Sequence, residues 1–216
     1  MRRYSFAAAL VVVSTLAFTA FAQGPTSKAP GGPASATVVL DNTRVRAYRT
    51  AGGSLVGVDH GPGVVVSIAD GPGQTAGTAV WMDDVARPPQ PGVADRGPMV
   101  IIQTRRAPSP PREPERGSKP GDAPFTGMSF NPLFENDLVS VLRARMEVGA
   151  REGFHTHGSD TLVVHLSGGD IEDTADGHTK VNRWVPGDVE FEARGSSHSA
   201  RNVGKAVDVV LVALKP

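Results

Sequence analysis

Three histidines are the residues of this chain whose types and spacing could do chemistry. His155 and His157 are separated by one residue in GAREGFHTHGSDTLVVHLSGG, and His198 follows later in PGDVEFEARGSSHSARN. Side chains two positions apart on an extended strand point to the same face, so both imidazoles can reach one point. Neutral imidazole is the commonest protein ligand for zinc, iron, copper and nickel, and a distant third histidine could complete the site. Three nitrogens would leave coordination positions open for water or substrate.

The first 22 residues have the features of a secretory signal peptide. Arg2 and Arg3 form a short basic region, residues 6–18 are almost wholly apolar, and Ala20-Phe21-Ala22 is a small-x-small cleavage site before Gln23. An uncleaved anchor is the competing interpretation, but the apolar run is short for a bilayer span. We therefore expect residues 1–22 to be removed and the protein to be periplasmic or secreted, with no membrane association after cleavage.

Composition limits the partners of the exported chain. The sequence contains no cysteine, so neither disulfides nor a lipid-modified cysteine are expected. Removal of the signal leaves 20 basic and 22 acidic residues, a net charge of −2. Because no strong basic excess remains, we expect no nucleic-acid partner, and the expected partner is a small molecule.

Proline-rich and glycine-rich stretches divide the rest of the chain. Residues 23–36 are predicted to be a flexible leader, and residues 105–126 carry prolines and mixed charges typical of a linker. The two parts between them, 37–104 and 127–216, contain β-branched runs and frequent turn signals, such as TLVVHL and AVDVVLVAL. No long segment has a helical period, so the fold class is predicted to be all-β.

The two parts also resemble each other, which indicates an internal duplication. Chance similarity between β-meander sequences is the alternative. If the duplication is right, residues 37–104 are a smaller β domain in which valines occupy two of the positions that correspond to the C-terminal site. The matched pairs are Asn42 with Asn136, Val45 with Val139, Arg49 with Arg143, Val58 with His155, His60 with His157, and Val64 with Thr161.

Two motifs in the C-terminal part resemble those of the cupin superfamily. Gly149, five residues and His155-Thr156-His157 are similar to the first cupin motif. The segment from Gly187 to Asn202 is similar to the second cupin motif. In this segment Gly187 is followed by five residues, Ala193-Arg194-Gly195, two residues, His198, three residues and Asn202, and Ala193 stands where proline is usual. The resemblance covers residues 127–216 and implies a jelly-roll barrel, the double-stranded β-helix, preceded by a degenerate cupin-like domain. The resemblance implies that His155, His157 and His198 are metal ligands. It also implies that the protein self-associates, because such barrels commonly pair.

One position departs from the cupin pattern. A glutamate ligand normally lies four residues after the second histidine, where this chain has Thr161. A neutral hydroxyl is a poor ligand for a divalent cation, so the fourth ligand is expected to be water or absent, and Asp160 should face the other way. Such a neutral face resembles the sites of cupin dioxygenases that hold Fe(II) and act on thiols, diketones or aromatic acids. It could equally hold Zn, Mn, Ni or Cu, and the sequence does not choose among them.

Other polar residues are assigned less specific roles. His165 keeps the phase of the first two histidines but lies about 13 Å of strand beyond Thr161, so we expect it to line the barrel without binding the metal. His60 and His178 are interpreted as ordinary structural or surface histidines. Along LVSVLRARMEV, Leu142, Ala144 and Met146 are expected to face inward, while Arg143, Arg145 and Glu147 face solvent or a partner.

Two functions follow from this pattern. The first is a metal-dependent enzyme outside the cytoplasm, namely an oxygenase acting on a small organic molecule. The second is a non-catalytic cupin that binds a sugar or a carboxylate; a decayed barrel that keeps its histidines by descent is a third interpretation. The sequence names no catalytic residue, so it does not decide whether the protein is an enzyme.

Overall fold

The computed structural model describes residues 35–52, 54–71, 74–87, 97–105 and 125–215. The predicted signal peptide, nearly all of the leader and nearly all of the linker lie outside these residues. The described residues form thirteen β-strands and no helix, which confirms the all-β prediction. No helix long and apolar enough to cross a membrane occurs in the described ranges.

The strands alternate with short turns along the chain. In order they are β1 (Thr37–Asp41), β2 (Val45–Thr50), β3 (Gly63–Ser67), β4 (Ala79–Met82), β5 (Met99–Thr104), β6 (Thr126–Glu135), β7 (Val139–Thr156), β8 (Asp160–His165), β9 (Gly169–Ala175), β10 (His178–Trp184), β11 (Val189–Glu192), β12 (Ser197–Asn202) and β13 (Val207–Leu214).

An eight-stranded curled sheet forms the C-terminal part and carries the histidines. Its order is β10-β9-β12-β7-β13-β8-β11, with β6 paired to β7. Strand β7 is 18 residues long: its first half pairs with β6 and β13, and its second half pairs with β12. Because one strand serves both halves, the sheet curls around an apolar interior. This arrangement confirms the predicted jelly-roll fold.

Strand β13 shows why the sequence VDVVLVAL has apolar residues on both faces. Val207 and Val209 belong to the cluster inside the curled sheet. Val210 and Val212 belong to a second cluster on the outside and are fully buried. Apolar residues on both faces are typical of a strand that is covered on both sides.

A five-stranded antiparallel sheet of order β1-β2-β5-β3-β4 covers that outer face. Val64 and Ile102 from this sheet lie in one cluster with Val141 and Leu162 of the curled sheet, and all four are at most 1% exposed. Another cluster, which includes Tyr48, lies on the opposite face of the five-stranded sheet. The described residues therefore form two packed sheets with three apolar clusters: one inside the curled sheet, one between the two sheets, and one on the far face of the five-stranded sheet.

The five-stranded sheet repeats part of the curled sheet. Its order β1-β2-β5-β3-β4 matches the order β6-β7-β13-β8-β11 strand for strand. The Asn42 carboxamide oxygen accepts hydrogen bonds from the backbone N–H groups of residues 44 and 45, and Asn136 does the same for residues 138 and 139. These matches support the predicted duplication, although the interpretation as two cupin domains stays a prediction.

The repeat is incomplete, and one predicted residue match is wrong. Within the described ranges no strand of the N-terminal part corresponds to β9, β10 or β12; an isolated bridge between Gly71 and Gln74 occurs there instead. Val64 pairs with Ile102 as Leu162 pairs with Val212, so Gly63 rather than Val64 corresponds to Thr161. A one-residue slip reverses the face of a strand, and Val64 indeed points into the core between the sheets.

Candidate metal centre

The three predicted histidines meet inside the curled sheet. His155 lies in β7 opposite His198 of β12, and His157 follows β7 directly. Their ring centroids are 4.7, 4.8 and 5.0 Å apart, and one ring nitrogen of each lies within 4.8 Å of the others. The side chains are only 10–19% exposed. The predicted convergence of these three histidines is therefore confirmed.

Hydrogen bonds at the far nitrogens orient two of the rings. Nδ1 of His198 lies 2.8 Å from Oδ1 of Asp173, and Nδ1 of His155 lies 3.0 Å from the carbonyl oxygen of Gly153. A ring that donates from Nδ1 keeps the lone pair of Nε2 for a ligand, as in most metal-bound histidines. Nε2 of His198 is buried and makes no hydrogen bond to any residue that the structure describes.

Two carboxyl groups that the sequence reasoning missed flank the histidines. Glu192 of β11 pairs directly with Thr161 of β8, the position where a glutamate is usual. Its oxygens lie 3.5 Å from Nδ1 of His157 and 3.8 Å from Nε2 of His198. The oxygens of Glu152 lie 3.7 and 3.9 Å from Nε2 of His155 and His198. The expected face without a carboxylate is thus wrong.

The sequence VEFE of β11 contained a signal that could have identified Glu192 as a residue of the site. Glu190 and Glu192 are two residues apart on β11, and both line the same interior. Two acidic residues that share the inward face of a strand are unusual unless they serve a site. The carboxyl group of Glu192 lies on β11, which is the strand beside Thr161, so the spacing of residues within one motif could not reveal it.

Burial shifts the proton equilibria of the site. Desolvation raises the pKa of Glu192 to about 9, with further contributions from the charges of Glu190, Glu152 and Asp173. Burial also raises the pKa of Glu190. Desolvation, followed by the charges of the other two cluster histidines, lowers the pKa of His157 to about 4. At neutral pH His157 is therefore neutral, which is the metal-binding form, and Glu192 holds a proton that a cation would displace.

The cluster opens into a cavity of about 300 Å³. Leu142, Ala144 and Met146 line it, as predicted from the alternation along β7. Arg143 points to the other side, where its guanidinium pairs with Asp208 and donates a hydrogen bond to the Ala76 carbonyl oxygen at 3.2 Å. Most of the lining is apolar, so the cavity suits an organic molecule better than a hydrated ion.

The remaining histidines lie away from the cluster. His165 is 2% exposed and lines the cavity, as predicted, with its ring stacked on Trp184 at a centroid distance of 4.5 Å. His60 has an exposed side chain paired with Asp84 at 2.9 Å, and His178 is exposed on β10. The interpretation of His60 and His178 as ordinary surface histidines agrees with these positions.

Comparison with known proteins gives structural neighbours of low sequence identity. No protein-family model matches the chain, and no curated protein matches it. A cupin domain from Bordetella pertussis is similar with 21% identity and a TM-score of 0.40, over 42% of this chain and 96% of that one. An RmlC-like cupin from Shewanella frigidimarina shares 17% identity over 49% of this chain and 95% of that one, with a TM-score of 0.36. The polyketide cyclase RemF from Streptomyces resistomycificus shares 15% identity over 48% of this chain and 75% of that one, with a TM-score of 0.38.

Proposed function

We propose that this chain, whose C-terminal part has a cupin fold, binds a divalent metal through His155, His157 and His198 and presents it to a small organic molecule in the adjoining cavity. The observation that carries the proposal is the buried Nε2 of His198, which has no hydrogen-bond partner among the described residues and lies in a cluster of three ring nitrogens. A buried nitrogen without a partner is costly, and a metal ion would satisfy it.

Glu192 fits the role of the carboxylate ligand that Thr161 cannot fill. It reaches the same two rings from the neighbouring strand, at 3.5 and 3.8 Å from their nitrogens. A cation would also offset the cost of an ionised carboxylate in this buried place, where the pKa of Glu192 is otherwise about 9. Three neutral imidazoles and one carboxylate can bind Fe, Zn, Mn, Ni or Cu.

The surroundings favour an enzyme, and we propose an oxygenase. A bound metal would supply Lewis acidity or, as iron, redox chemistry toward dioxygen. Glu152 lies beside the rings of His155 and His198 and lines the cavity, so its carboxyl group is within reach of a bound substrate and could accept or donate a proton there.

A non-catalytic binder of sugars or carboxylates is less well supported. A sugar carries hydroxyl groups on all sides, and the larger share of the lining area is apolar and cannot pair with them. A carboxylate would face the acidic groups of Glu152, Glu190 and Glu192 unless the metal held it. The lining therefore favours a mainly apolar substrate.

Metal binding is the decisive test. The purified protein is stripped with a chelator and titrated with Zn(II) and Fe(II) in competition with a coloured chelator. We expect one metal per chain for the wild type and for His178→Ala, which removes an exposed histidine, and a loss of at least about 100-fold in affinity for His198→Ala. Equal affinity of the wild type and His198→Ala would exclude the site.

Oxygen consumption separates the two functions. The Fe(II)-loaded protein is assayed in an oxygen electrode with thiols, diketones and hydroxylated aromatic compounds. Uptake that depends on both substrate and His198 supports the oxygenase. Tight metal binding without uptake on any of these classes would leave the binding function.

We also propose that the protein works outside the cytoplasm, in the periplasm or the medium. The support is the sequence of residues 1–22, with its basic start, apolar run and cleavage site. Mass spectrometry of the protein from a periplasmic fraction should give Gln23 as the first residue. A full-length protein in the cytoplasmic fraction alone would exclude export.

A further inference from the structure

His165 is a buried polar residue that the proposed metal site does not use. It lies in β8, is 2% exposed and lines the cavity. Both of its ring nitrogens are buried, and neither makes a hydrogen bond to any residue in the described ranges. Buried polar groups in native proteins nearly always have a partner, because an unsatisfied one lowers stability. A ligand in the cavity would supply that partner.

The position of His165 separates it from the metal site. Thr161, which pairs with Glu192, lies four residues earlier on the same strand, a distance of about 13 Å along an extended chain. One face of the imidazole is covered by Trp184, whose ring is tilted by only 16° from the His165 ring. A ligand in the cavity therefore has to approach the buried nitrogens along the ring edge or from the opposite face.

The apolar residues between these two places determine what such a ligand must be. Val163 lies on β8 between Thr161 and His165, and Val209 and Leu211 line the cavity from the neighbouring strand β13. Phe125 and Phe130 contribute aromatic rings to the same lining. These side chains favour an apolar, aromatic body of the size allowed by about 300 Å³, at the low end of small-ligand sites.

The protonation state of His165 determines which polar group the ligand presents to it. Burial lowers the pKa of His165 to about 4, so the ring is neutral at pH 7 and offers one N–H donor and one acceptor nitrogen. A hydroxyl group can both donate and accept, and it remains uncharged. A carboxylate would be left without a positive charge to balance it.

We propose that the cavity binds a largely apolar aromatic molecule that carries a hydroxyl group, and that His165 hydrogen-bonds this hydroxyl at the end of the cavity remote from the three histidines. The proposal deepens the proposed function, on which it rests for the identity of the substrate class. The binding site itself does not require the metal, so the two can be tested separately.

Calorimetric titration of the metal-free protein with two probes tests this subsite. The probes are 2-naphthol and 2-methylnaphthalene, which have nearly the same size and differ in the hydroxyl group. One hydrogen bond is expected to give 2-naphthol an affinity about three- to tenfold higher in the wild type. The preference should vanish in His165→Phe, which keeps a ring against Trp184, and should persist in His178→Phe, which replaces an exposed histidine.

A measurement on the unaltered protein covers the case in which His165→Phe does not fold. The ring nitrogens of 15N-histidine-labelled protein are followed by NMR as 2-naphthol is added, and those of His165 should shift while those of His60 and His178 do not. Equal affinity for both probes, or a hydroxyl preference that survives in His165→Phe, would overturn the proposal. Failure of both probes to bind would do so too, since the cavity would then hold only water.

The same variants distinguish this failure from a failure of the metal site. His165→Phe should bind Zn(II) as the wild type does, and His198→Ala should keep the preference for 2-naphthol. If the wild type binds no metal but keeps a preference for 2-naphthol that His165→Phe lacks, the proposed metal function fails and the His165 subsite stands.

Discussion

The stability of the metal-free protein should depend on pH in a way that Glu192 controls. Its carboxyl ionises near pH 4.5 when the chain is unfolded and near pH 9 in the fold. Because the pKa of Glu192 is higher in the folded protein, its contribution to the free energy of unfolding is complete below pH 4.5 and is lost as the pH rises toward 9. Each pH unit in this window costs about 1.4 kcal/mol, so the loss between pH 6.5 and 8 is about 2 kcal/mol.

Two histidines act in the opposite direction on the acid side. The pKa values of His157 and His165 are both lowered from 6.5 to about 4 by burial. Their contribution is therefore complete above pH 6.5 and is lost as the pH falls toward 4. Together they offset the opposing contributions of Glu192 and Glu190 below pH 6.5, and above it only the acidic groups remain. The free energy of unfolding should consequently fall as the pH rises above 6.5.

Urea unfolding of the chelator-treated protein at pH 5, 6.5 and 8 provides the assay. Glu192→Gln keeps the size of the side chain and removes its charge, so its free energy of unfolding should fall much less between pH 6.5 and 8 than that of the wild type. The part that remains is due to Glu190, whose pKa is also raised by burial. Glu147→Gln, at an exposed position on β7, should retain the wild-type profile.

Added Zn(II) should reverse the order of the two proteins. The metal-free Glu192→Gln protein is expected to be the more stable at pH 8, whereas with excess Zn(II) the wild type should be the more stable, because its carboxylate is then neutralised by the ion. Parallel pH profiles for the wild type and Glu192→Gln would refute the argument, since they would show that Glu192 is ionised in the metal-free fold.

Three further predictions concern the support of the site and of the fold. Asp173→Asn should weaken Zn(II) affinity about 10- to 100-fold in a chelator competition, because Asp173 orients the His198 ring, while the far-ultraviolet circular dichroism spectrum stays unchanged. Ile102→Ala should lower the free energy of unfolding by about 2–5 kcal/mol, in a single urea transition seen equally by fluorescence and circular dichroism, because Ile102 is fully buried in the core that both sheets share. Gly187→Ala should be more damaging than Gly149→Ala in the same assay: both have positive φ, of 87° and 76°, but only at Gly187 would a Cβ clash, at 2.8 Å from Arg49.

The alternation of side chains made much of the curled sheet predictable from the sequence. The i, i+2 spacing of His155 and His157 and the inward face of Leu142, Ala144 and Met146 are both local properties of one strand, and both were predicted correctly. The repeated Asn42 and Asn136 turns are likewise local, since each side chain binds backbone groups two and three residues away.

Features that depend on pairing between strands were not predictable. The carboxyl of Glu192 reaches the histidines because β11 pairs with β8 in one particular register, and a register cannot be seen from one strand. The same limit explains why Val64 was wrongly matched with Thr161. The correct match is Gly63, one residue earlier. The apolar residues on both faces of β13 indicated that this strand is covered on both sides. Nothing in the local sequence indicated that the five-stranded sheet covers its outer face.

The five-stranded sheet has a consequence for the range of ligands that the cavity can admit. Strands β8 and β13 form a wall of the cavity with one face and pack against that sheet with the other. On β8, Val163 lines the cavity, whereas the next residue, Val164, lies in the core shared with the five-stranded sheet. A wall supported from behind cannot bend outward to make room, because close-packed cores resist expansion. We therefore expect the five-stranded sheet, which carries none of the three histidines, to limit the size of the molecules that the cavity admits.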